Sequence, residues 1–175
     1  MCKGGGKMNP VLNYEKTLYF SGTRDYLISM VTHEDNYLIW KYVSCLRREE
    51  AAGNILTRYF WRRKKNNLGS RLGLQIYAGT CAKGLHIWHY GSVIISGDAK
   101  VGENCTFHGQ ACIGNDGASD AAPVIGNNVD IGVGAKIIGG VTVADGVRIG
   151  AGAVVVRSCL EKNATLVGVP ARVIS

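Results

Sequence analysis

The feature that most constrains this chain is a six-residue repeat that keeps its phase from Ile95 to Cys159. Stepping by six from Ile95 meets a bulky apolar residue at ten of eleven positions, and Ser119 is the exception. Four residues further along each repeat, the side chain is nearly always small or a valine. The apolar positions are Ile95, Val101, Phe107, Ile113, Ile125, Ile131, Ile137, Val143, Ile149 and Val155.

A period of six fits one short strand followed by one tight turn. Three such units would close a triangular coil whose bulky residues stack inward on the next coil. A β-sandwich uses alternating strands of varied spacing, so it does not explain a fixed period. The high glycine count, 24 in 175 residues, suits the tight turns. The repeat therefore predicts a mainly β fold, a parallel β-helix of hexapeptide repeats.

The composition changes near residue 70, which predicts an N-terminal helical segment over 1–70 and a β-helix domain over 71–175. Apolar residues at three- and four-residue spacing predict helices over 25–45 and 49–65, with a break at 66–69. A basic and aromatic stretch over 58–65 suits either an anionic membrane surface or a helix docked on the β-helix with its charges in water.

The net charge and the cysteine spacing indicate which partners and which cellular compartment to expect. The net charge of +7 suits an anionic partner or ordinary solubility, and we expect no nucleic-acid partner. The six cysteines include no C-x-x-C pair, which favours reduced thiols in a cytosol. The first residues lack the apolar core of a signal peptide, and no apolar run is long enough to cross a membrane. We therefore expect a cytoplasmic protein, and the basic helix would suit the inner face of the membrane.

Three runs resemble the serine acetyltransferase group of hexapeptide acyltransferases, and the likeness covers about residues 70–175. They are Gly84–Gly91 (GLHIWHYG), Pro123–Val129 (PVIGNNV) and Gly168–Arg172 (GVPAR). The resemblance is strongest to short relatives found with capsule and exopolysaccharide genes. It implies a left-handed winding, acetyl-CoA as co-substrate and no metal. It also implies a homotrimer with active sites between subunits and CoA along the later coils.

Acyl transfer to a hydroxyl needs a base, and histidine suits this role because its ordinary pKa of about 6.5 lies near operating pH. The resemblance places the catalytic base at His89. By hexad count His89 falls on an inward position, so either the frame shifts at Gly91 or the imidazole serves chemistry. His108 is predicted to lie one coil away as a second catalytic or acceptor-binding group. Candidates for the orienting carboxylate are Asp98, Asp116 and Asp120, with a backbone carbonyl as a further alternative.

The substrate contacts depart from the resembled family. Trp88 stands where the family has an aspartate, and Leu74 replaces a second catalytic aspartate. The family's Asp-Arg-His-Pro run, which holds the amino-acid acceptor, is Asp-Ala-Ala-Pro over 120–123. We predict acceptor contacts from Trp88, Asp116 and Asp120. The predicted CoA contacts are Gly134, Ala135, Gly152, Ala153, Arg157 and Arg172, with further late cations at Lys136, Arg148 and Lys162.

Because the groups that would hold a zwitterionic acceptor are missing, the sequence favours O-acetylation of a sugar hydroxyl in capsule or exopolysaccharide assembly. The alternative is an L-serine O-acetyltransferase of cysteine biosynthesis. Two further alternatives are a non-catalytic β-helix scaffold and a metal protein like the γ-carbonic anhydrases. The metal protein would need three histidines from adjacent coils, and only His89 and His108 are suitably spaced.

Overall fold

A computed structural model describes residues 10–174 of the chain. Four helices come first: α1 (Pro10–Tyr19), α2 (Thr23–Thr32), α3 (Asp35–Glu50) and α4 (Ile55–Leu72). Fourteen short strands follow: β1 (Leu74–Ile76), β2 (His86–Ile87), β3 (Val93–Ile95), β4 (Lys100–Val101), β5 (Thr106–Phe107), β6 (Cys112–Gly114), β7 (Val124–Ile125), β8 (Asp130–Ile131), β9 (Lys136–Ile138), β10 (Thr142–Val143), β11 (Arg148–Ile149), β12 (Val154–Val155), β13 (Thr165–Gly168) and β14 (Ala171–Val173).

The strands form the three walls of a parallel β-helix. Sheet A has the order β1-β3-β6-β9-β12, sheet B has β4-β7-β10, and sheet C has β2-β5-β8-β11-β13-β14. The chain visits the sheets in rotation, so corner CA joins sheet C to sheet A and corner AB joins sheet A to sheet B. Every pairing is parallel except that of β13 with β14. The predicted mainly β architecture is thus confirmed.

The hexad register is the one that the sequence predicts. Ile131 pairs with Ile149 on sheet C, three hexads along the chain, and both side chains are buried. Ile113 instead pairs with Ile137, four hexads along, because the loop over 115–123 adds one hexad outside the wall. Ser119 lies on this loop and is exposed. The ten apolar hexad positions all lie in the core, where each coil covers its neighbour.

Three details of the helical prediction are wrong. The helix expected over 49–65 begins only at Ile55, because α3 extends to Glu50 and Asn54 caps α4. The helix expected over 25–45 is two helices, because His33 adopts a left-handed conformation with φ of 56° and ends α2. The break expected over 66–69 does not occur, since α4 continues to Leu72. Gly69 is accommodated inside α4 because its missing side chain leaves room for the Leu74 carbonyl and the Tyr42 ring. The stacking of α4 against β1 thus overrides local helix propensity.

The helices close the free edge of the first coil with polar side chains. The Tyr42 hydroxyl accepts a hydrogen bond from the Ile76 N–H at 2.9 Å, and the Lys65 ammonium donates to the Ile76 carbonyl at 2.9 Å. On sheet C, the Tyr19 hydroxyl accepts from the Ile87 N–H at 3.1 Å. Burial raises the pKa of both tyrosines, so they remain neutral hydrogen-bonding groups at physiological pH.

A buried ion pair also bonds the backbone groups at the free edge of the first coil. Glu15 is fully buried, and its carboxylate lies 2.7 Å from the Arg47 guanidinium. The same carboxylate accepts the Gly84 and Leu85 N–H groups, at 2.9 Å and 3.1 Å. Arg47 also donates to the carbonyl oxygens over 81–82, at 2.8 Å and 2.6 Å. Unpaired backbone groups of the first coil therefore find their partners in the helical segment.

A second buried carboxylate, Glu49, joins α3 to α4. It accepts a hydrogen bond from Arg62 at 2.8 Å and lies 2.9 Å from the Lys65 ammonium. Burial opposes ionisation of this carboxyl, but the hydrogen bonds from Arg62 and Lys65 hold its pKa below the ordinary value.

At the opposite end, β14 folds back antiparallel on β13 and covers the last coil. No helix within residues 10–174 is long and apolar enough to cross a membrane. All five cysteines in that range are free thiols. The predictions about the N-terminal leader fall on residues outside the described part of the chain.

Candidate functional site at corner CA

His89 lies at corner CA, on the outside of the β-helix. Ile87 is the buried residue of β2 and pairs with Phe107, two positions beyond three full hexads, so the hexad frame shifts before β3. The inward placement of His89 is therefore wrong, because the frame shifts between Ile87 and β3, the stretch that contains Gly91. The imidazole is exposed, and no group within residues 10–174 forms a hydrogen bond with it. Gly109 lies one coil above His89, and a Cβ at that position would lie 3.5 Å from the His89 Cβ. Because Gly109 has no side chain, the space above His89 at corner CA is open.

His108 follows the inward Phe107 of β5 and forms the best-defined polar contact of the site. Its Nε2 lies 2.7 Å from the Asp130 carboxylate, which precedes the inward Ile131 one coil above. An ionised carboxylate only accepts hydrogen bonds, so this contact favours the tautomer that carries its proton on Nε2. The indole of Trp88 stacks on the His108 ring, with centroids 6.0 Å apart and planes 6° apart. Carboxylate and indole together fix the orientation of this imidazole.

Trp88 lies between the rings of His86 and His108 on the outer face of sheet C. Its ring centroid lies 5.1 Å from His86, which in turn makes an edge contact with Tyr19 at 5.2 Å. Burial, and secondarily the nearby His108, lower the pKa of His86. Half of the Trp88 surface remains exposed, at 49%. The outer face of sheet C thus presents a histidine and indole cluster whose next positions, Gly132 and Gly150, carry no side chain.

In the coils that follow His89, corner CA is formed by glycines. The Gly134 N–H donates to the Gly109 carbonyl at 3.1 Å, and a Cβ at Gly134 would lie 3.8 Å from Gly152. Gly134 and Gly152 have φ of 74° and 67°, which favours glycine at both turns. These two predicted CoA contacts therefore lie in one open column with His89. Ala135 and Ala153 are buried in the core, so only their backbone could meet a ligand.

The loop over 115–123 occupies a different corner. It leaves sheet A after β6 and returns to sheet B at β7, so Asp116 and Asp120 belong to corner AB. Both are exposed, and Asp116 accepts the Ala118 and Ser119 N–H groups at 3.0 Å. These backbone hydrogen bonds lower the pKa of Asp116. Within one chain, sheet A separates this loop from His89, so the structure does not bring the two aspartates to the histidines.

The predicted phosphate-binding arginines are also apart. Arg157 is exposed at corner AB, after β12, whereas Arg172 is exposed on β14 at the end of sheet C. Lys162 pairs with Asp145 at 3.0 Å, a solvent-exposed contact. No three His, Cys, Asp or Glu side chains within residues 10–174 are placed to hold a metal ion. The metal-protein alternative therefore finds no ligand set in the described part of the chain.

Asp130 is the functional candidate that the sequence did not single out. The prediction named Asp98, Asp116 and Asp120 as orienting carboxylates, but the contact is to Asp130, on His108 rather than His89. The signal was present, since Asp130 directly precedes the inward Ile131. It could be found only by counting four hexads, not three, across the inserted loop.

The fold and this site define a class, the hexapeptide-repeat acyltransferases. No family model matches the chain. The serine acetyltransferase of Helicobacter pylori strain J99 is 36% identical over 121 residues, covering 67% of this chain and 70% of the relative. The serine acetyltransferase of Synechococcus elongatus is 37% identical over 105 residues, and the chain spans only 43% of that relative. The chain belongs to the serine acetyltransferase family.

Solved structures agree with this assignment. The Brucella abortus serine acetyltransferase is 25% identical, with a TM-score of 0.72 over 94% of this chain and 67% of that one. The soybean serine acetyltransferase apoenzyme, at 22% identity and a TM-score of 0.73 over 95% of this chain and 70% of that one, shows the shared fold. The expected closeness to capsule and exopolysaccharide relatives is not supported by these comparisons.

Proposed function

We propose that the chain is an acetyl-CoA-dependent O-acetyltransferase of left-handed β-helix fold, with L-serine as acceptor. The activity rests on two observations: the His108–Asp130 pair on sheet C, and the exposed His89 at the adjoining corner CA, at the foot of an open glycine column. The acceptor follows from family membership, because the similar proteins of H. pylori, S. elongatus and B. abortus are all named serine acetyltransferases. This choice replaces the sugar acceptor that the sequence favoured.

The site suggests a direct transfer. One imidazole, His89 in this proposal, accepts the acceptor's hydroxyl proton as its oxygen attacks the thioester carbonyl. Collapse of the tetrahedral intermediate expels the CoA thiolate, which takes that proton. His108, oriented by Asp130, lies on sheet C next to this corner, where its Nδ1 would contact the acceptor. Gly134 and Gly152 would admit the pantetheine arm, and Arg157 and Arg172 would meet its phosphates.

A homotrimer would complete this site. His89 lies at corner CA and the loop with Asp116 and Asp120 at corner AB, so the loop of one subunit could face the histidine of the next. The absence of any hydrogen-bonding partner for His89 within residues 10–174 supports this arrangement. The free thiols support a cytoplasmic setting. Peripheral membrane contact through the stretch over 58–65 stays a prediction.

A sugar hydroxyl is the second candidate acceptor, and one observation favours it. Trp88 is half exposed beside His108, and aromatic faces suit the apolar faces of sugar rings. The alanines at 121 and 122 also leave the loop without a cation for a carboxylate.

The test is release of free thiol from acetyl-CoA, with L-serine in one series and free or nucleotide-linked sugars in another. We expect serine-dependent turnover that falls by about 10²–10⁴-fold in His89→Ala, because a general base contributes that much. His33→Asn is the matched control, since asparagine tolerates the left-handed conformation there. Turnover with sugars alone would favour the second candidate, and no turnover with any acceptor would contradict acetyl transfer.

A further inference from the structure

The helical segment contains a basic cavity that the acetyltransferase site does not use. All four helices line it, and its volume is about 550 Å³, within the range of small-molecule sites. On α4, Trp61, Lys64, Leu68 and Arg71 repeat at three- and four-residue spacing and share one face. We call this space the helical cavity. Its lining includes the aromatic residues Tyr26, Trp40 and Trp61 and the cations Lys16, Lys41, Arg48, Lys64 and Arg71.

The charge in the helical cavity is unbalanced. Within residues 10–174, no Asp or Glu is among the lining residues, and none of the five cations forms an ion pair with a carboxylate. The nearby acids are engaged elsewhere: Glu15 and Glu49 are buried in their own ion pairs. Five like charges around one concave surface repel each other and create a positive potential. An anion of multiple charge would relieve that repulsion.

Aromatic rings hold part of this charge in place. The Arg48 guanidinium lies 4.7 Å from the centre of the Trp61 ring, and the Lys64 ammonium lies 5.4 Å from it. The Lys16 ammonium lies 3.7 Å above the Tyr26 ring. Such contacts restrict the side chains without neutralising them, so less freedom is lost when they bind an anion.

The size and lining of the cavity define the ligand further. Inorganic phosphate would leave most of the space empty, whereas the partly exposed Trp61 and Leu68 offer surface to an apolar or planar body. Arginine and lysine together suit phosphate oxygens. We propose that the helical cavity binds a small molecule with two or more phosphate charges on a planar or apolar body, of which a nucleoside diphosphate is the simplest type.

The cavity is separate from the predicted CoA contacts. Those contacts lie on the β-helix at corner CA and at its later coils, whereas the lining residues of the cavity all belong to α1–α4. Binding in the helical cavity can therefore succeed or fail independently of acetyl transfer.

Isothermal titration with UDP, ADP, pyrophosphate and anionic phosphatidylglycerol vesicles tests the proposal. We expect both nucleotides to bind more tightly than pyrophosphate, and the Lys41→Gln/Arg48→Gln double variant to weaken binding by more than about tenfold. Arg58→Gln is the control, because it removes one charge from exposed α4 surface that does not line the cavity. Arg172→Gln reports on nucleotide binding at the β-helix instead.

Circular dichroism and thermal unfolding should show that each variant remains folded. Three results would overturn the proposal: no heat with any nucleotide or pyrophosphate, equal weakening by Arg58→Gln or Arg172→Gln, or binding to vesicles alone. The last result would indicate a membrane surface in place of a small-molecule site.

Discussion

The helical segment and the β-helix are stabilised in opposite ways. The β-helix core is a column of apolar side chains, and Thr80 is its one buried polar residue within the described 10–174. The helical segment instead buries Glu15, Arg47, Glu49 and Lys65. All but Glu49 bond backbone groups of the first coil, and Glu49 pairs with Lys65. A repeat can supply its own hydrogen-bonding partners, coil on coil, but its first coil cannot. The polar core of the helices therefore replaces a missing coil.

The largest loss of stability should come from breaking the buried Glu15–Arg47 ion pair. Glu15→Ala removes the buried carboxylate that faces Arg47 and frees the N–H groups at 84 and 85. We expect a loss of about 3–5 kcal/mol in the free energy of unfolding, measured by urea denaturation. Glu50→Ala is the matched control, since Glu50 pairs with the same arginine at a partly exposed position, and should cost about 1 kcal/mol or less. Equal costs would contradict the comparison.

Gly69→Ala should destabilise the protein although alanine is the better helix former. A Cβ at this position would collide with the Leu74 carbonyl and lie 3.0 Å from the Tyr42 ring. We expect a loss of about 1–3 kcal/mol from overpacking, read from the same denaturation curves. Gly53→Ala is the control, because a Cβ there meets nothing within 4 Å. A stabilised Gly69→Ala variant would show that α4 is not fitted closely to β1.

Trimming one methylene from the β-helix core should cost less, and the cost should not depend on the coil. Ile131→Val and Ile149→Val remove the same group from paired inward positions, and each should lose about 0.5–1.5 kcal/mol. Ile94→Val changes an outward position that is 42% exposed, and should stay within about 0.5 kcal/mol of the wild type. Widely different values at 131 and 149 would mean that the coils are not equivalent.

The smallest effect concerns pH. The pKa of Glu49 is lowered in the folded state, so the contribution of its ionised form is complete above the ordinary glutamate pKa of about 4.3. It is lost as the pH falls through the folded-state pKa. The stability difference between wild type and Glu49→Gln should therefore shrink below about pH 4, as thermal unfolding at a series of pH values would show. A difference that does not change with pH would exclude an ionised Glu49 as its source.

The repeat was predictable because its signal is local and redundant. Ten apolar hexad positions set the register, so the loop at 115–123 and its exposed Ser119 did not obscure it. The helical segment has no such redundancy. The turn at His33 depends on one left-handed residue, and the continuity of α4 through Gly69 depends on the Leu74 carbonyl from a later element. Neither feature produces a periodic pattern in the sequence.

The candidate site was predictable only in part, for the same reason. The resemblance pointed to His89 and the hexad spacing pointed to His108, and the structure places His108 on sheet C and His89 at the adjoining corner CA. The frame shift that turns His89 outward, and the partnership of His108 with Asp130, both depend on local departures from the regular coil of three hexads. Such departures carry the chemistry because a strictly periodic wall would present only repeated side chains.

The helical segment also limits the β-helix at the edge of its first coil. Without the hydroxyls of Tyr19 and Tyr42 and the ammonium of Lys65, the backbone groups of Ile76 and Ile87 would form an open edge with a flat apolar core beside it. Such an open edge is a template for pairing with another chain. The helical segment thus covers an edge that could pair with another molecule, and a chain lacking it would be expected to associate through its first coil, while β14 still covers the last one.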